Sequence, residues 1–374
     1  MNKFGQRQFS LSISSWFCIP EQGMKEFEIL SRASAFVVKA NSSLFKYPYG
    51  NGKNNTTREI SKDGENNRGK FFQPEYHILT ASHVVSPWRW PKYYPDEWLQ
   101  YVSEKHTHYT VELRDESGVF ITQSECVPVS YHHKNRDLAV LHLENEAENI
   151  AMLHDLGFNP MKLLLPQKDK PMSQTVSTGQ TLEFLGHDVT NTDAGPNWNP
   201  REGDGKDQRK PIPMRSFGQI QGRSQAQVFC RTTKTLTDGM CGGPVLINTN
   251  NNNLDNNLDN NTDPNNISKK KRSAVSTTNE YSQEHIEADS VLCVGMTEGI
   301  VPVEHADRSL QGLAVFVESP DIQDFLLDIE AGENKRYDCL IGGESIQYLA
   351  ENEAVESTGD QRQDILNQLK DNLT

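Results

Sequence analysis

Apolar and polar positions alternate with a period of two along residues 31–39, the spacing of a half-buried strand. A second apolar run, Tyr76-His77-Ile78-Leu79, leads into Thr80-Ala81-Ser82-His83-Val84-Val85. Residues 109–114 and 119–129 flank Asp115-Glu116-Ser117-Gly118 and read as a hairpin around that turn. Asn135-Arg136-Asp137 opens another alternating run through Leu138-Ala139-Val140-Leu141-His142-Leu143. Further strands are predicted near 181–186, 215–221, 227–231, 290–296 and 312–317. The period changes to that of a helix only at 320–331, where Ile322, Phe325, Leu326 and Ile329 recur behind Ser319-Pro320.

Polar stretches separate these runs. Residues 41–75 read as an insertion, 144–178 as a linker between two groups of strands, and 188–213 as a solvent loop. Asn fills 11 of the 19 positions from 248 to 266, and Lys269-Lys270-Lys271-Arg272 follows, so 248–285 is expected to be a disordered insert. The basic run is read as an ordinary feature of such a loop. Residues 331–374 form a tail, with seven acids against two bases from 344 onward. The low mean hydropathy of −0.68 and the 35% apolar content therefore belong to the insertions, leaving apolar strands to build cores. The net charge of −14 argues against a nucleic-acid partner, which needs a basic footprint. No stretch approaches the roughly 20 apolar residues of a membrane span.

The candidate chemistry centres on Thr237-Asp238-Gly239-Met240-Cys241-Gly242-Gly243-Pro244. Glycines on both sides of a thiol permit a sharp turn, and the amides of Gly239 and Cys241 can face one point where an oxyanion would develop. A base and an orienting acid stand upstream: His83 at a strand end and Asp137 before a strand, in the order His83, Asp137, Cys241. Any one of the three has an ordinary structural explanation; the ordered set points to nucleophilic acyl transfer.

These motifs resemble those of the trypsin/chymotrypsin-like peptidases of the PA clan, and within them the HtrA/Deg-type intracellular branch. Thr80-Ala81-Ser82-His83-Val84-Val85 is similar to that branch's His motif, and Ser34-Ala35-Phe36-Val37-Val38 to its first core strand. Leu182-Glu183-Phe184-Leu185-Gly186, Ser290-Val291-Leu292-Cys293-Val294-Gly295-Met296 and Gly312-Leu313-Ala314-Val315-Phe316-Val317 resemble strands of its second barrel. The resemblance covers about residues 30–330. It implies an all-β fold of two antiparallel six-stranded barrels, about 30–145 and 175–320, within a peptidase domain of 26–330, closed by a short helix. It also implies peptide-bond hydrolysis by His83, Asp137 and Cys241, without a cofactor, on protein or peptide substrates. Gly239 and Cys241 would form the oxyanion hole, and Thr235, Gly295, Met296 and Thr297 the substrate pocket. Nothing acidic stands at Thr235 to favour Lys or Arg.

Two departures qualify the likeness. Cys241 replaces the branch's Ser, as in viral chymotrypsin-like cysteine peptidases. Met240 replaces the Asp that digestive trypsins pair with a new N-terminus, so that activation route is not expected. The alternatives are an inactive peptidase-like scaffold, or a protein whose Cys241 senses redox state.

The six cysteines lack the spacing of secreted trypsins' disulfides and read as buried thiols in a reducing compartment. No metal site is expected; His106-x-His108 and His132-His133 read as surface-loop histidines. Residues 1–25 read as a targeting segment or a disordered arm. Lys3, Arg7 and several serines with no acid before Glu21 match a mitochondrial presequence, with Arg7-Gln8-Phe9-Ser10 as its processing site; a cytoplasmic location is the alternative.

Overall fold

The computed structural model describes residues 9–40, 74–166, 172–189, 211–224, 227–248, 291–332 and 336–341. The predicted presequence site at Arg7, the 41–73 insertion, most of the 188–213 loop, the Asn-rich insert and the tail beyond 341 lie outside them.

Fourteen strands are described, in two sheets. The first group comprises β1 (Leu11–Phe17), β2 (Glu28–Lys39), β3 (Tyr76–Thr80), β4 (Thr107–Arg114), β5 (Phe120–Glu125), β6 (Val129–His133) and β7 (Ala139–Leu141). The second comprises β8 (Thr181–Asp188), β9 (Ile212–Arg223), β10 (Val228–Thr232), β11 (Pro244–Asn248), β12 (Val291–Ile300) and β13 (Ala314–Glu318). A last strand, β14 (Tyr337–Ile341), returns to the first sheet. The helices are α1 (Ser82–Val85), α2 (Glu146–Asp155), α3 (Met172–Thr175) and α4 (Ser319–Ala331).

The second half is a closed six-stranded barrel in the order β10-β13-β12-β11-β8-β9. Its core holds Phe184, Ile220, Val245, Val294 and Phe316, with the Phe184 and Phe316 rings edge to face at 6.1 Å. The first half is not the closed six-stranded barrel that the resemblance implies. It is an eight-stranded open sheet, β14-β6-β7-β3-β2-β1-β4-β5. The reason lies at its edges. β14 runs along β6 from Tyr337↔His133 to Ile341↔Val129 and takes the hydrogen-bonding groups that a continuous closing ladder would use. A lone bridge, Cys126↔Leu143, links the end of β5 to the chain beyond β7 and curls the sheet towards closure.

The stretch expected to be an N-terminal arm is folded within its described part. β1 lies between β2 and β4, with Leu11 and Ile13 wholly buried. The acidic tail likewise begins with β14. α4 matches the helical spacing: Ile322, Phe325, Leu326 and Ile329 pack into the core of the first half, and Gly332 ends the helix at a φ of 68°. The linker joins the two halves through main chain. Met161 N–H donates to the Val37 carbonyl at 2.7 Å, and Leu164 N–H to that of Cys293 at 2.7 Å.

The four paired histidines are not surface-loop residues. His108 is in β4, His132 and His133 are in β6, and His106, His108 and His132 are buried. Burial, with the charge of Arg89 adding to it, holds the His132 pKa down near 3, and the neutral ring bonds Ser82 Oγ at 2.8 Å and Ser130 Oγ at 2.9 Å. Among the described residues there is no cluster of three metal-binding side chains, and no helix is long and apolar enough to cross a membrane.

Candidate active site

His83 sits on α1, a single turn that starts where β3 ends. Two contacts with Asp137 fix it. Its backbone N–H donates to Asp137 Oδ1 at 2.8 Å, and its ring Nδ1 bonds Asp137 Oδ2. A carboxylate accepting at Nδ1 sets the tautomer and leaves Nε2 for the nucleophile. Ser31 of β2 braces the same turn by donating its hydroxyl to the Val84 carbonyl. Asp137 lies in the short link from β6 to β7, and the hydrogen bond from His133 N–H to the Leu138 carbonyl at 2.9 Å spans that link.

Cys241 follows a 3-10 turn, Asp238–Met240, at the start of β11. Met240 is wholly buried in the core of the second barrel, whereas Cys241 belongs to the core cluster of the first half. An apolar side chain thus anchors the turn from below, where digestive trypsins have an acid. The glycines allow the close fit. Gly242 has a φ of +81°, and a Cβ there would lie 2.2 Å from the Ser34 carbonyl oxygen. A Cβ on Gly243 would lie 2.0 Å from that of Leu185. The turn is therefore wedged between β2 of one half and β8 of the other.

The three residues converge. Burial opposes a positive charge on His83, but the charge and hydrogen bond of Asp137, then the hydrogen bond and charge of Cys241, outweigh it. Together they raise the imidazole pKa to about 10. His83, Asp137 and Cys241 are 8%, 9% and 8% exposed, so the three are shielded without being sealed. All six cysteines are free thiols. Burial pushes Cys18 and Cys339 up to about 11 and Cys230 and Cys293 up to about 12, and raises Cys126 further.

The residues expected to form the pocket divide. Thr297 N–H donates to the Gly243 carbonyl at 2.9 Å, and Gly242 N–H donates to the Thr297 carbonyl at 2.8 Å, so β12 runs beside the turn. Gly295 and Met296 pair with Val245 and Pro244. Met296 is wholly buried among core side chains, and Thr297 is 1% exposed. Thr235 is exposed on the run from β10 to the turn.

Two features escape the sequence reading as functional residues. Glu298, next to Thr297, is a buried carboxyl that receives the Gln227 side-chain amide at 2.6 Å and the backbone N–H of Asp137. Burial, and then the charge of Asp137, lift its pKa to about 7, against the Gln227 bond, that N–H and the charge of Arg136. Its signal is an acid in an otherwise apolar strand. Ser34 and His187 lie beneath the turn and carry no signal beyond being polar in a core strand. The aromatic segment after α1 lies against His83. Tyr93, 67% exposed, stacks on the imidazole at 6.0 Å, with Trp90 and Tyr94 at 6.4 and 6.1 Å.

No family model matches the chain, and no curated protein matches it. Among solved structures, one that is similar is the HtrA-type protease AlgW with decapeptide. It is 13% identical over 86% of this chain and 65% of its own length, with a TM-score of 0.34. The chain thus spans less than two thirds of that protein, and likeness at this level carries no functional weight. The geometry around Cys241 bears the rest.

Proposed function

We propose that this protein is an endopeptidase of trypsin-like fold with Cys241 as nucleophile, His83 as base and Asp137 as orienting acid. The observation that carries the reading is the convergence of these three residues, from separate loops, on an imidazole held towards its charged form. The sulfur of Cys241 is the nucleophile that this imidazole serves. The sulfur attacks the substrate carbonyl and forms a C–S bond, while the oxyanion is met by the amides of Gly239 and Cys241. The C–N bond breaks and the amine leaves with the proton from His83 Nε2. Water then gives a proton to His83 and attacks the thioester, releasing the acid and the thiol. The Tyr93–Trp90 surface and the stretch of β12 around Thr297 border the place where the peptide would lie.

The deciding experiment treats full-length protein with an electrophilic peptide probe and maps the adduct by mass spectrometry. The reading expects selective labelling of Cys241 at pH 6–7 and cleavage of peptides, both absent from Cys241→Ala. Labelling spread evenly over the six cysteines would instead favour an inactive scaffold. Selective oxidation of Cys241 by peroxide without any cleavage would favour a redox sensor. The mitochondrial location is proposed separately. Intact Met1 on protein found only in the cytosol would rule it out.

A further inference from the structure

Two buried polar side chains beneath the nucleophile turn have no part in the mechanism above. Ser34 Oγ, on β2, accepts the backbone N–H of His187 at 2.8 Å and donates to the Gly239 carbonyl at 2.6 Å. A hydroxyl has one proton, and Gly239 takes it. The 3.3 Å contact between Ser34 Oγ and His187 Nδ1 must then have the ring as donor. That tautomer is neutral, in keeping with a pKa that burial, and secondarily the charge of Arg114, lowers to about 3.

The geometry bears on the amides that would bind an oxyanion. The peptide joining Gly239 to Met240 is held at both ends. Its carbonyl takes the Ser34 hydroxyl, and its N–H donates to the Thr237 carbonyl at 2.9 Å. The backbone N–H of Ser34 holds the Cys241 carbonyl at 3.0 Å. One residue of the first sheet therefore grips the turn on both sides of Met240. The fit is close: a Cβ on Gly186 would lie 2.9 Å from both Ser34 Oγ and Met240 Cα, and a Cβ on Gly239 2.4 Å from the His187 carbonyl oxygen. The held peptide lies between the two peptides that carry the N–H groups of Gly239 and Cys241, so fixing it restricts the ψ of Gly239 and the φ of Met240, on which their relative aim depends. The ion pair by which digestive trypsins hold this turn cannot form here, because Met240 fills the position and is buried in the second core.

We propose that Ser34, oriented by a neutral His187, is a positioning residue that locks the Gly239 carbonyl and so aims the amides of Gly239 and Cys241 at the oxyanion. The proposal rests on the peptidase reading, and the test separates the two. Alkylation of Cys241 by iodoacetamide needs the thiolate but no oxyanion site. A peptide aldehyde forms a tetrahedral adduct that needs both. An acetyl-tripeptide aldehyde is chosen from a panel on the wild-type, full-length protein. Ser34→Ala should leave the alkylation rate at pH 6–7 within about twofold, weaken the aldehyde about 10–100-fold and lower kcat comparably, with KM moving less than about threefold. That is below the roughly 10²–10³ for deleting an oxyanion donor outright, because the donors remain and only their aim is lost. His187→Leu should reproduce the loss. His187→Asn, which can present an amide N–H near the place of Nδ1–H, should restore most of the affinity. The His187 pair carries the test if Ser34→Ala fails to fold. Unchanged aldehyde affinity in Ser34→Ala and His187→Leu overturns the proposal. So does a parallel fall in alkylation and aldehyde affinity, which marks general disruption of the turn. A wild-type protein whose Cys241 alkylates selectively but binds no aldehyde of the panel overturns the peptidase reading, and this proposal with it.

Discussion

Replacing Glu298 by Gln removes an ionisable carboxyl from beside Asp137 and keeps an oxygen to receive both Gln227 and the Asp137 N–H. The folded protein lifts the Glu298 pKa from 4.5 to about 7, chiefly through burial and then through the charge of Asp137. A carboxyl with a raised pKa binds its proton more tightly in the folded state. Below about pH 4.5 both states are protonated, and the contribution to stability is fully present. As pH rises towards 7 the unfolded chain releases its proton first, so stability falls; above about 7 the loss is complete. At about 1.36 kcal/mol for each pH unit separating the two pKa values, the full effect is about 3 kcal/mol. Urea unfolding of wild type and Glu298→Gln at several pH values between about 4.5 and 8 measures it. Glu146, also lifted to about 7, titrates in both proteins and cancels in the difference. Between those limits the stability difference should move by about 3 kcal/mol in favour of the Glu298→Gln variant, with none of the change appearing below about pH 4.5. A difference that stays constant across the whole range would refute the account of Glu298.

Three further outcomes are expected. Cys241→Ala should abolish peptide cleavage and His83→Ala nearly so, while Asp137→Asn loses about 10–1,000-fold, less than the roughly 10⁴ of a serine triad; equal losses at Asp137 and Cys241, read from kcat/KM, would contradict a thiolate mechanism. Gly243→Ala sets a methyl group against the Leu185 carbonyl and should destabilise the fold by more than about 2 kcal/mol, so an unchanged urea midpoint would show that the turn is not wedged as described. A chain starting at Ser10 should keep its Tm within about 2 °C, whereas one starting at Cys18 loses the buried Leu11 and Ile13, at about 1.5–3 kcal/mol each, together with two ladders, and should fail to fold; thermal melts distinguish them.

The parts of the molecule legible in the sequence are those where local pattern and burial agree. β2, the β4–β5 turn with Gly118 at a φ of +76°, β9, β10 and α4 all follow their periodicity. The three candidate residues His83, Asp137 and Cys241 stand out in the sequence because each lies close to a strand end, and such positions are marked by the apolar runs around them. β1 was hidden by its serines. Ser12, Ser14 and Ser15 are wholly buried in an inner strand, where small hydroxyls pack between neighbouring strands, yet in composition they resemble a polar leader. β14 was hidden by its brevity and its acidic continuation. The eighth strand of the first sheet is β14, which pairs with β6 at its edge. Ser34, His187 and Glu298 act through contacts between residues more than 70 positions apart, which no local pattern records.

The return of α4 and β14 to the first sheet has a consequence for biosynthesis. Ile322, Phe325, Leu326, Ile329 and Tyr337 complete a core that otherwise comes largely from the first 166 residues. The two halves are therefore not modules that mature in order of synthesis. At roughly 5–20 residues per second, the earlier strands emerge on the order of ten to thirty seconds before the segment that caps them. Through that interval the β6 edge is unpaired and an apolar face is open, a state in which chaperone engagement or strand exchange competes with folding. The closed second barrel can form in the meantime, so the half made first is the half finished last.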